Sequence, residues 1–415
     1  MMKDFPIAKL GRVARPISGV GFPHEQQGLQ TGDVPFLKVS DLSSDRNRAG
    51  IIGSANWVSK RQAKQLGARL APPGSIVFPK VGAALLKNTR NMLLVLAAMD
   101  NNLMAVVPGE GYPRFWYYVL AAADLGELAG SAPVPYVSES QVRDMRIPFP
   151  GVEEQRRIAD FLDAETSRID RLVALRRTLS TRLEERCRAH TEQALDGLAK
   201  RFGTVAFGRV VRGIEQGSSP ECEATPATSE EWGVLKLSAV KRGRFHASAN
   251  KRIPDGMIPN LRNRVHNGDL LITRANTPEL VGDSAVALVD TATKILLPDL
   301  IYRVRVTSDY EAAFASLVVN GRRVRGLIEA TARGTSQSMV KLRGDDIKQW
   351  PVCAAPLSVQ REFVRTASEA RVLVDRLVSA IRRQVELLHE RRRALITAAV
   401  TGQLDVTTAR SGVRV

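Results

Sequence analysis

Two stretches of the chain carry apolar residues at near three- and four-residue spacing between charged flanks. In the first the stripe is Ile158, Leu162, Ile169, Leu172, Leu179 and Leu183; in the second it is Phe363, Ala367, Val374, Leu377, Ile381, Leu388 and Leu395. This spacing collects the apolar side chains on one helical face, the pattern of a coiled-coil seam. Neither Pro nor Gly interrupts Glu153 to Asp196 or Ser358 to Thr401, so each stretch predicts a helix of about 45 residues, roughly 65 to 70 Å at the α-helical rise. Helices so long cannot bury their seams inside small domains, and the expectation is that they pair with each other, antiparallel. Elsewhere the pattern changes. Runs such as "GSIVFPKV", "LMAVVP", "DLLITRA", "SAVALVD" and "LIYRVRV" are short and bounded by Gly, Asn, Asp and Pro. They predict strand-rich cores, with "FWYYVLAAADLGELA" as a helix among the strands.

The two helical stretches are copies. Gln155 aligns with Gln360, Asp170-Arg171-Leu172-Val173 with Asp375-Arg376-Leu377-Val378, Glu185-Arg186 with Glu390-Arg391 and Gly197 with Gly402, every pair at one offset. A shared helical composition would drift in register; a constant offset over more than forty residues indicates duplication. The segments ahead of the helices echo more faintly, "LGRVARPISGVGFP" with "FGRVVRGIEQGSSP" and "PGSIVFPKVG" with "NGDLLITRAN", which sets Lys80 opposite Arg274. Proline-bearing connections, "MRIPFPGVEEQ" and "KQWPVCAAPLSVQ", precede each helix and mark the boundaries. The second connection reads as two residues longer from Pro351 to Gln360 than the first from Pro148 to Gln155, which puts equal helix starts in question. The predicted organisation is an α+β chain with an internal tandem repeat and pseudo-two-fold symmetry. Two mixed, strand-rich globular domains, 1–150 and 201–356, alternate with helical segments at 151–200 and 357–405, and a tail follows at 406–415.

Charge then narrows the partner. The formal net charge is +17, and residues 1–151 and 201–356 each hold an excess of six positive charges. A polyanion is the economical partner for two equally basic modules, because each neutralised phosphate releases condensed counterions. The three cysteines, Cys187, Cys222 and Cys353, have no paired spacing, which suits a reducing cytoplasm and neither a zinc site nor a disulfide framework. No apolar run has spanning length and "MMKDFPIAKLGRV" lacks the apolar centre of a secretory signal, so neither export nor membrane insertion is expected.

Catalytic patterns are missing. No Gly-Lys dipeptide exists to build a P-loop, Gly19-Val20-Gly21 lacks the third glycine of a dinucleotide fingerprint, and no Glu-x-Lys of the common metal-dependent nuclease pattern occurs. The sole Pro-Pro, in "APPGS", is not the tetrad of an amino-methyltransferase. His24, His190, His246, His266 and His389 are dispersed. The expectation is a binding subunit with no catalytic residue, no metal and no cofactor of its own.

At this point the chain resembles the specificity subunits of type I restriction-modification systems over nearly its whole length. The resemblance is carried by "VPYVSESQVRDMRIPFPGVEEQRRIADFLDAETSRIDRL", by its echo "GTSQSMVKLRGDDIKQWPVCAAPLSVQREFV" and by "RRRALITAAVTGQLDV". It implies two target-recognition domains that each read one half of a split double-stranded DNA site, and paired helices that set the gap while docking methyltransferase subunits, two copies. S-adenosylmethionine would then belong to the methyltransferase subunit, and ATP to a restriction subunit if one is present. Base readout calls for Arg, Asn or Gln on loops, with Lys and scattered Arg on phosphates. By that chemistry the candidates are Lys80, Lys87, Asn88 and Arg90 in the first module and Lys241, Arg242, Arg244, Arg274 and Asn276 in the second. Two other readings stay open: a coiled-coil scaffold whose basic modules bind acidic proteins, and a nuclease or methyltransferase of unrecognised type.

Overall fold

The computed structural model describes residues 4–130, 133–331 and 339–407. The Gly334–Ser338 part of the second motif and the tail beyond Thr407 lie outside the described residues. The chain forms two compact units, Met1–Arg177 with Ile381–Val415, and Thr178–Ala380. Each unit therefore contains one module and half of each long helix, so the units cut across the helical segments.

The first module is built on a four-stranded antiparallel sheet. Its strands run in the order Ala14–Ser18, Leu103–Pro108, Ile76–Pro79, Asn91–Met92. A three-stranded sheet centres on Val34–Leu37, antiparallel to Trp57–Val58 and parallel to Ala98–Met99. A short ladder pairs Ile7–Lys9 with Arg146–Pro148 just before the first long helix. Strands this short with both faces buried explain the near-continuous apolar runs: Ile76, Val77 and Phe78 are all fully buried. The helix Pro113–Ala122 closes the core with Phe115, Trp116 and Tyr118.

The second module repeats the main sheets of this topology. Its four-stranded sheet runs Val211–Gln216, Ile301–Val306, Leu270–Thr273, Ser284–Val286. Gly233–Leu235 lies antiparallel to Asn250–Arg252 and parallel to Ile295–Leu296, and Thr204–Ala206 pairs with Pro351–Cys353 before the second long helix. The helix Ala312–Val319 stands where Pro113–Ala122 stands in the first. The duplication inferred from sequence echoes is thus a duplication of fold.

The long helices span Val152–Phe202 and Leu357–Val400. Their starts and the strands before them share the offset that relates Gln155 to Gln360, so no insertion separates the copies. Pro148 and Pro351 occupy different positions of equivalent strands, Pro148 matching Cys353 and Pro351 matching Arg146. Gly197 does not end the first helix. Leu195, Leu198, Ala199 and Phe202 around it pack into the second module's core, burial that outweighs the roughly 1 kcal/mol cost of an internal glycine. The helix stops at Gly203, with φ +77°, whereas Gly402, the counterpart of Gly197, with φ +80°, does follow the end of the second helix.

In both units the helix halves run antiparallel. In one, Ile158 and Leu162 share a core with Ile396 and Ala399, and further along Asp170 meets Arg392 at 3.4 Å. In the other, Leu195 and Leu198 share a core with Val359 and Phe363. The expected stripe is only partly the seam. Ile158, Leu162, Ile169 and Ile381 are buried, and Leu183, Phe363, Val374, Leu388 and Leu395 are half-buried, but Leu172, Leu179 and Leu377 stand 40%, 42% and 43% exposed. The steps from Ile169 to Val173 and from Val374 to Val378 are four residues, which keeps pace with a 3.6-residue turn and brings Val173 and Val378 inward in place of their leucine neighbours.

The matched glutamines are latches. Gln155 Oε1 accepts the Tyr112 N–H at 2.8 Å and its Nε2 donates to the Pro150 carbonyl at 2.8 Å. Gln360 Oε1 accepts the Glu311 N–H at 2.8 Å and its Nε2 donates to Ala355 O at 2.7 Å. Both amides are fully buried and each ties the start of a long helix to the start of its module's core helix. Gly111, with φ +89°, leaves the room: a Cβ there would lie 2.5 Å from Gln155 Oε1. Gln155→Ala should destabilise its unit by about 2 kcal/mol through two orphaned backbone groups. Hydrogen exchange is the check: the Tyr112 amide should exchange faster while the Glu311 amide keeps its rate, and Gln360→Ala should do the reverse.

Candidate nucleic-acid interface

Lys80 and Arg274 occupy one structural position. Each follows the central strand of its sheet, Ile76–Pro79 or Leu270–Thr273, and each is held on both sides by backbone bonds of the same pattern. Lys80 N–H donates to Asn102 O and its carbonyl accepts from Val137; Arg274 N–H donates to Leu300 O and its carbonyl accepts from Leu342. Above this shared backbone the chemistry diverges. The Lys80 side chain is 8% exposed, its ammonium lies 5.6 Å from the centre of the Tyr136 ring, and burial holds its pKa below the ordinary lysine value. Arg274 spreads its guanidinium 5.8 Å from the Tyr302 ring centre, with Nε donating to the Tyr302 hydroxyl at 3.0 Å and Nη1 to Asp299 O at 3.5 Å. Contacts of this kind hold an arginine fork in place before any ligand arrives.

Around Lys80 stand Arg69 and Glu139, joined as an ion pair, and Glu139 also accepts the Ser18 N–H at 2.7 Å. These hydrogen bonds and Arg69 keep the Glu139 carboxyl below the usual range against its desolvation. Around Arg274 the corresponding corner is Ser218, Ser219 and Asn263. Asn263 Nδ2 donates to Ser218 Oγ at 2.9 Å, and Ser219 Oγ accepts the Asp299 N–H at 3.2 Å.

The other candidates separate into exposed and committed groups. Lys87 is exposed. Asn88 and Arg90 are spent on the protein: Asn88, at φ +53°, donates to the Ala123 carbonyl at 3.3 Å, and Arg90 donates to Asn88 O at 3.0 Å and Ala123 O at 2.6 Å. Burial pushes the Arg90 guanidinium down to about 10. The pair closes the end of the helix Pro113–Ala122, where a free carbonyl needs donors. In the second module Lys241, Arg242 and Arg244 belong to a hairpin, Val240–Lys241 with Arg244–Phe245. Arg242 at φ +48° and Gly243 at φ +78° form a turn with both central residues left-handed, leaving Lys241 and Arg242 exposed. Arg244 is exposed as well and pairs with Asp375 on the second long helix. Asn276 sits in the short strand Ala275–Asn276, its carbonyl Oδ1 accepting the Thr277 N–H at 2.9 Å.

Sequence reasoning missed a half-buried ion cluster in the second module, with Arg303 and Asp269 buried and Glu215 and Arg305 half-exposed. Arg303, on the neighbouring inner strand Ile301–Val306, contacts Glu215 and Asp269, donating to Glu215 at 2.7 Å and pairing with Asp269 at 3.3 Å, and Arg305 meets the other Asp269 oxygen at 2.8 Å. Arg303 Nη1 and Nη2 also reach the carbonyls of Arg264 and Arg262 at 2.6 and 3.0 Å. The alternation in "IYRVRV" was its only mark. In the first module Ile17 and Ala105 face each other where Glu215 and Arg303 do, so the cluster is a property of one copy. Among the described residues no group of three His, Cys, Asp or Glu side chains is placed to hold a metal ion, and no helix is long and apolar enough to cross a membrane.

No family model matches the chain. Its sequence is similar to the type I restriction enzyme EcoEI specificity subunit of Escherichia coli, 29% identical over 177 residues, which cover 42% of this chain and 30% of that protein. It is also similar to the EcoKI specificity subunit of Escherichia coli, 21% identical over 292 residues, covering 68% of this chain and 62% of the relative. The chain thus spans less than two thirds of the length of either relative. Its fold matches a chain from a structure concerned with complex assembly and conformational transition of the type I R-M system. There the TM-score is 0.66 at 16% identity, over 97% of this chain and 100% of the other. The resemblance to type I specificity subunits that the sequence motifs carry is borne out by these relatives, and the strand-rich modules with long helices by the shared fold.

Proposed function

We propose that this chain, as a type I specificity subunit, is the non-catalytic, sequence-reading component of a restriction-modification complex acting in the cytoplasm. Each module reads one half of a bipartite double-stranded DNA site, and the long helices set the gap between the halves and dock two methyltransferase subunits. A restriction subunit is a further partner. S-adenosylmethionine and ATP bind on those partners and not on this chain. The observation that carries the reading is the equivalence of Lys80 and Arg274: one backbone position, repeated, presents a cation at the end of the central strand in each of two basic modules. Lys87, Lys241, Arg242 and Asn276 remain DNA-contact candidates. Asn88 and Arg90 do not, because they bond each other and the Ala123 carbonyl; Arg244, exposed beside Asp375, remains one as well.

Partner docking has its own support. In the second unit an apolar groove of about 520 Å³ opens between the helices, lined by Leu183, Cys187, Leu198, Phe363, Ala367 and Val374 among others. The repeat explains it. Ala367 stands where the other copy has Leu162, and Thr191 where it has Ile396, so the seam loses volume at two facing positions. An apolar helix face of a partner fits such a groove.

The test is methyl transfer. The chain alone should incorporate no methyl groups from S-adenosylmethionine, and addition of its methyltransferase subunit should produce adenine methylation at one asymmetric split site. Incorporation by the chain alone at the rate of the complex would overturn the reading. DNA binding that is weak and insensitive to salt would favour the scaffold alternative, since phosphate contacts weaken steeply as salt rises.

A further inference from the structure

The two modules differ most in chemistry at one equivalent segment. In the first it lies between the strand Trp57–Val58 and Ala71, whose N–H donates to Ala97 O; in the second it lies between Asn250–Arg252 and Val265, whose N–H donates to Ile295 O. The first module fills this slot with a helix, Lys60–Gln65, capped by Ser59. It exposes Lys60, Arg61 and Lys64. The second fills it with a proline-bounded loop, Pro254–Arg264, that exposes Met257, Ile258 and Leu261, Ile258 to 91%.

That loop is held from beneath. The buried Arg303 guanidinium donates to the carbonyls of Arg262 and Arg264, and Asn260 accepts the Arg262 N–H at 3.2 Å. Its far end joins the Arg274 corner: Asn263 bonds Ser218, next to the Ser219 that accepts from Asp299, and Asp299 O receives Arg274 Nη1. In the first module Arg69, at the equivalent end of the slot, likewise reaches the corner of Lys80 through Glu139 and the Ser18 N–H. The slot therefore flanks the proposed reading position in both copies. A cationic helix there suits phosphates. An apolar tip on a braced loop, with Arg262 exposed beside it, suits the inside of a groove, where Met, Ile, Leu and Pro side chains part stacked bases.

We infer that Met257, Ile258 and Leu261 form an apolar wedge that the second module presses between base steps of its half-site, while Lys60, Arg61 and Lys64 clamp backbone phosphates in the first. The inference rests on the proposed function. It makes the two readers unlike in mechanism: one deforms DNA, the other holds it.

The experiment uses the assembled complex and a duplex carrying its mapped methylation site, with 2-aminopurine placed at successive steps of the second half-site. Binding should raise 2-aminopurine fluorescence at one step. Ile258→Ala should abolish that rise, weaken binding about tenfold and leave the salt dependence unchanged. Lys60→Ala should keep the fluorescence rise and lower the salt slope by about one. Both residues are exposed, so thermal melting should not move. Site-specific binding by the unaltered complex with no fluorescence rise, or with one that survives Ile258→Ala, would overturn the wedge and leave the function standing. Weakened assembly with the methyltransferase subunit after Ile258→Ala, at unchanged DNA affinity, would assign the tip to a protein partner and also overturn it. An unaltered complex that binds no duplex would overturn the proposed function and the wedge together.

Discussion

A chain in which residues 204–353 are replaced by a second copy of residues 7–148 should direct methylation, by its methyltransferase subunit, to an inverted repeat of its first half-site. Those junctions follow from the two-stranded ladders at the module edges, Ile7–Lys9 with Arg146–Pro148 and Thr204–Ala206 with Pro351–Cys353. A graft cut at these ends brings its own ladder. It does not bring every contact, because the second module's core is shared with Leu195, Leu198 and Phe202 of the first helix and with Val359 and Phe363 of the second. The first module's core uses Ile158, Leu162 and Ile396 instead. Restoring Leu and Ile at Ala367 and Thr191 is the natural companion change, since those are the residues the first copy carries. Sequencing of methylated adenines in cells expressing the graft with its methyltransferase subunit reads the result. An unchanged asymmetric motif in a folded graft would mean that the modules are not independent readers.

Arg274→Ala should cost site-specific binding about ten- to a hundredfold, the range for losing a good bidentate base contact, and should relax discrimination in one half-site only. Arg274→Lys separates readout from charge. The substitution keeps the positive charge but loses the planar fork held by the Tyr302 hydroxyl, so a base reader should stay impaired while a phosphate contact should be largely restored. Lys80→Ala should act on the other half-site, and less strongly, because its ammonium is nearly buried and already faces the Tyr136 ring. Binding titrations against duplexes mutated one base pair at a time, with melting curves to exclude unfolding, distinguish these outcomes. Equal loss in both half-sites from either substitution would count against one reader per module.

Hydrophobic periodicity, the constant offset of the helical repeats and the division of charge are properties of the chain, and they carry the architecture in plain view. They mark two strand-rich modules, two long helices and the pairing of Lys80 with Arg274. Helix and strand periods survive duplication because most core positions must stay apolar, so these features are local and repeat. The tertiary structure decided what depends on neighbours distant in sequence. Asn88 and Arg90 look like readers until the Ala123 carbonyl is found to take their donors, and nothing in the letters sets Asp375 across from Arg244. Leu172 and Leu377 match the seam by count, yet the 3.6-residue turn brings Val173 and Val378 inward. Gly197 reads as a stop and is overridden by packing on both sides. The latches of Gln155 and Gln360 were visible as matched letters, but their role needed the amides of Tyr112 and Glu311. The apolar loop at Ile258 and the cationic helix at Lys60 share no letters, and only strand pairing and backbone bonds put them in the same slot.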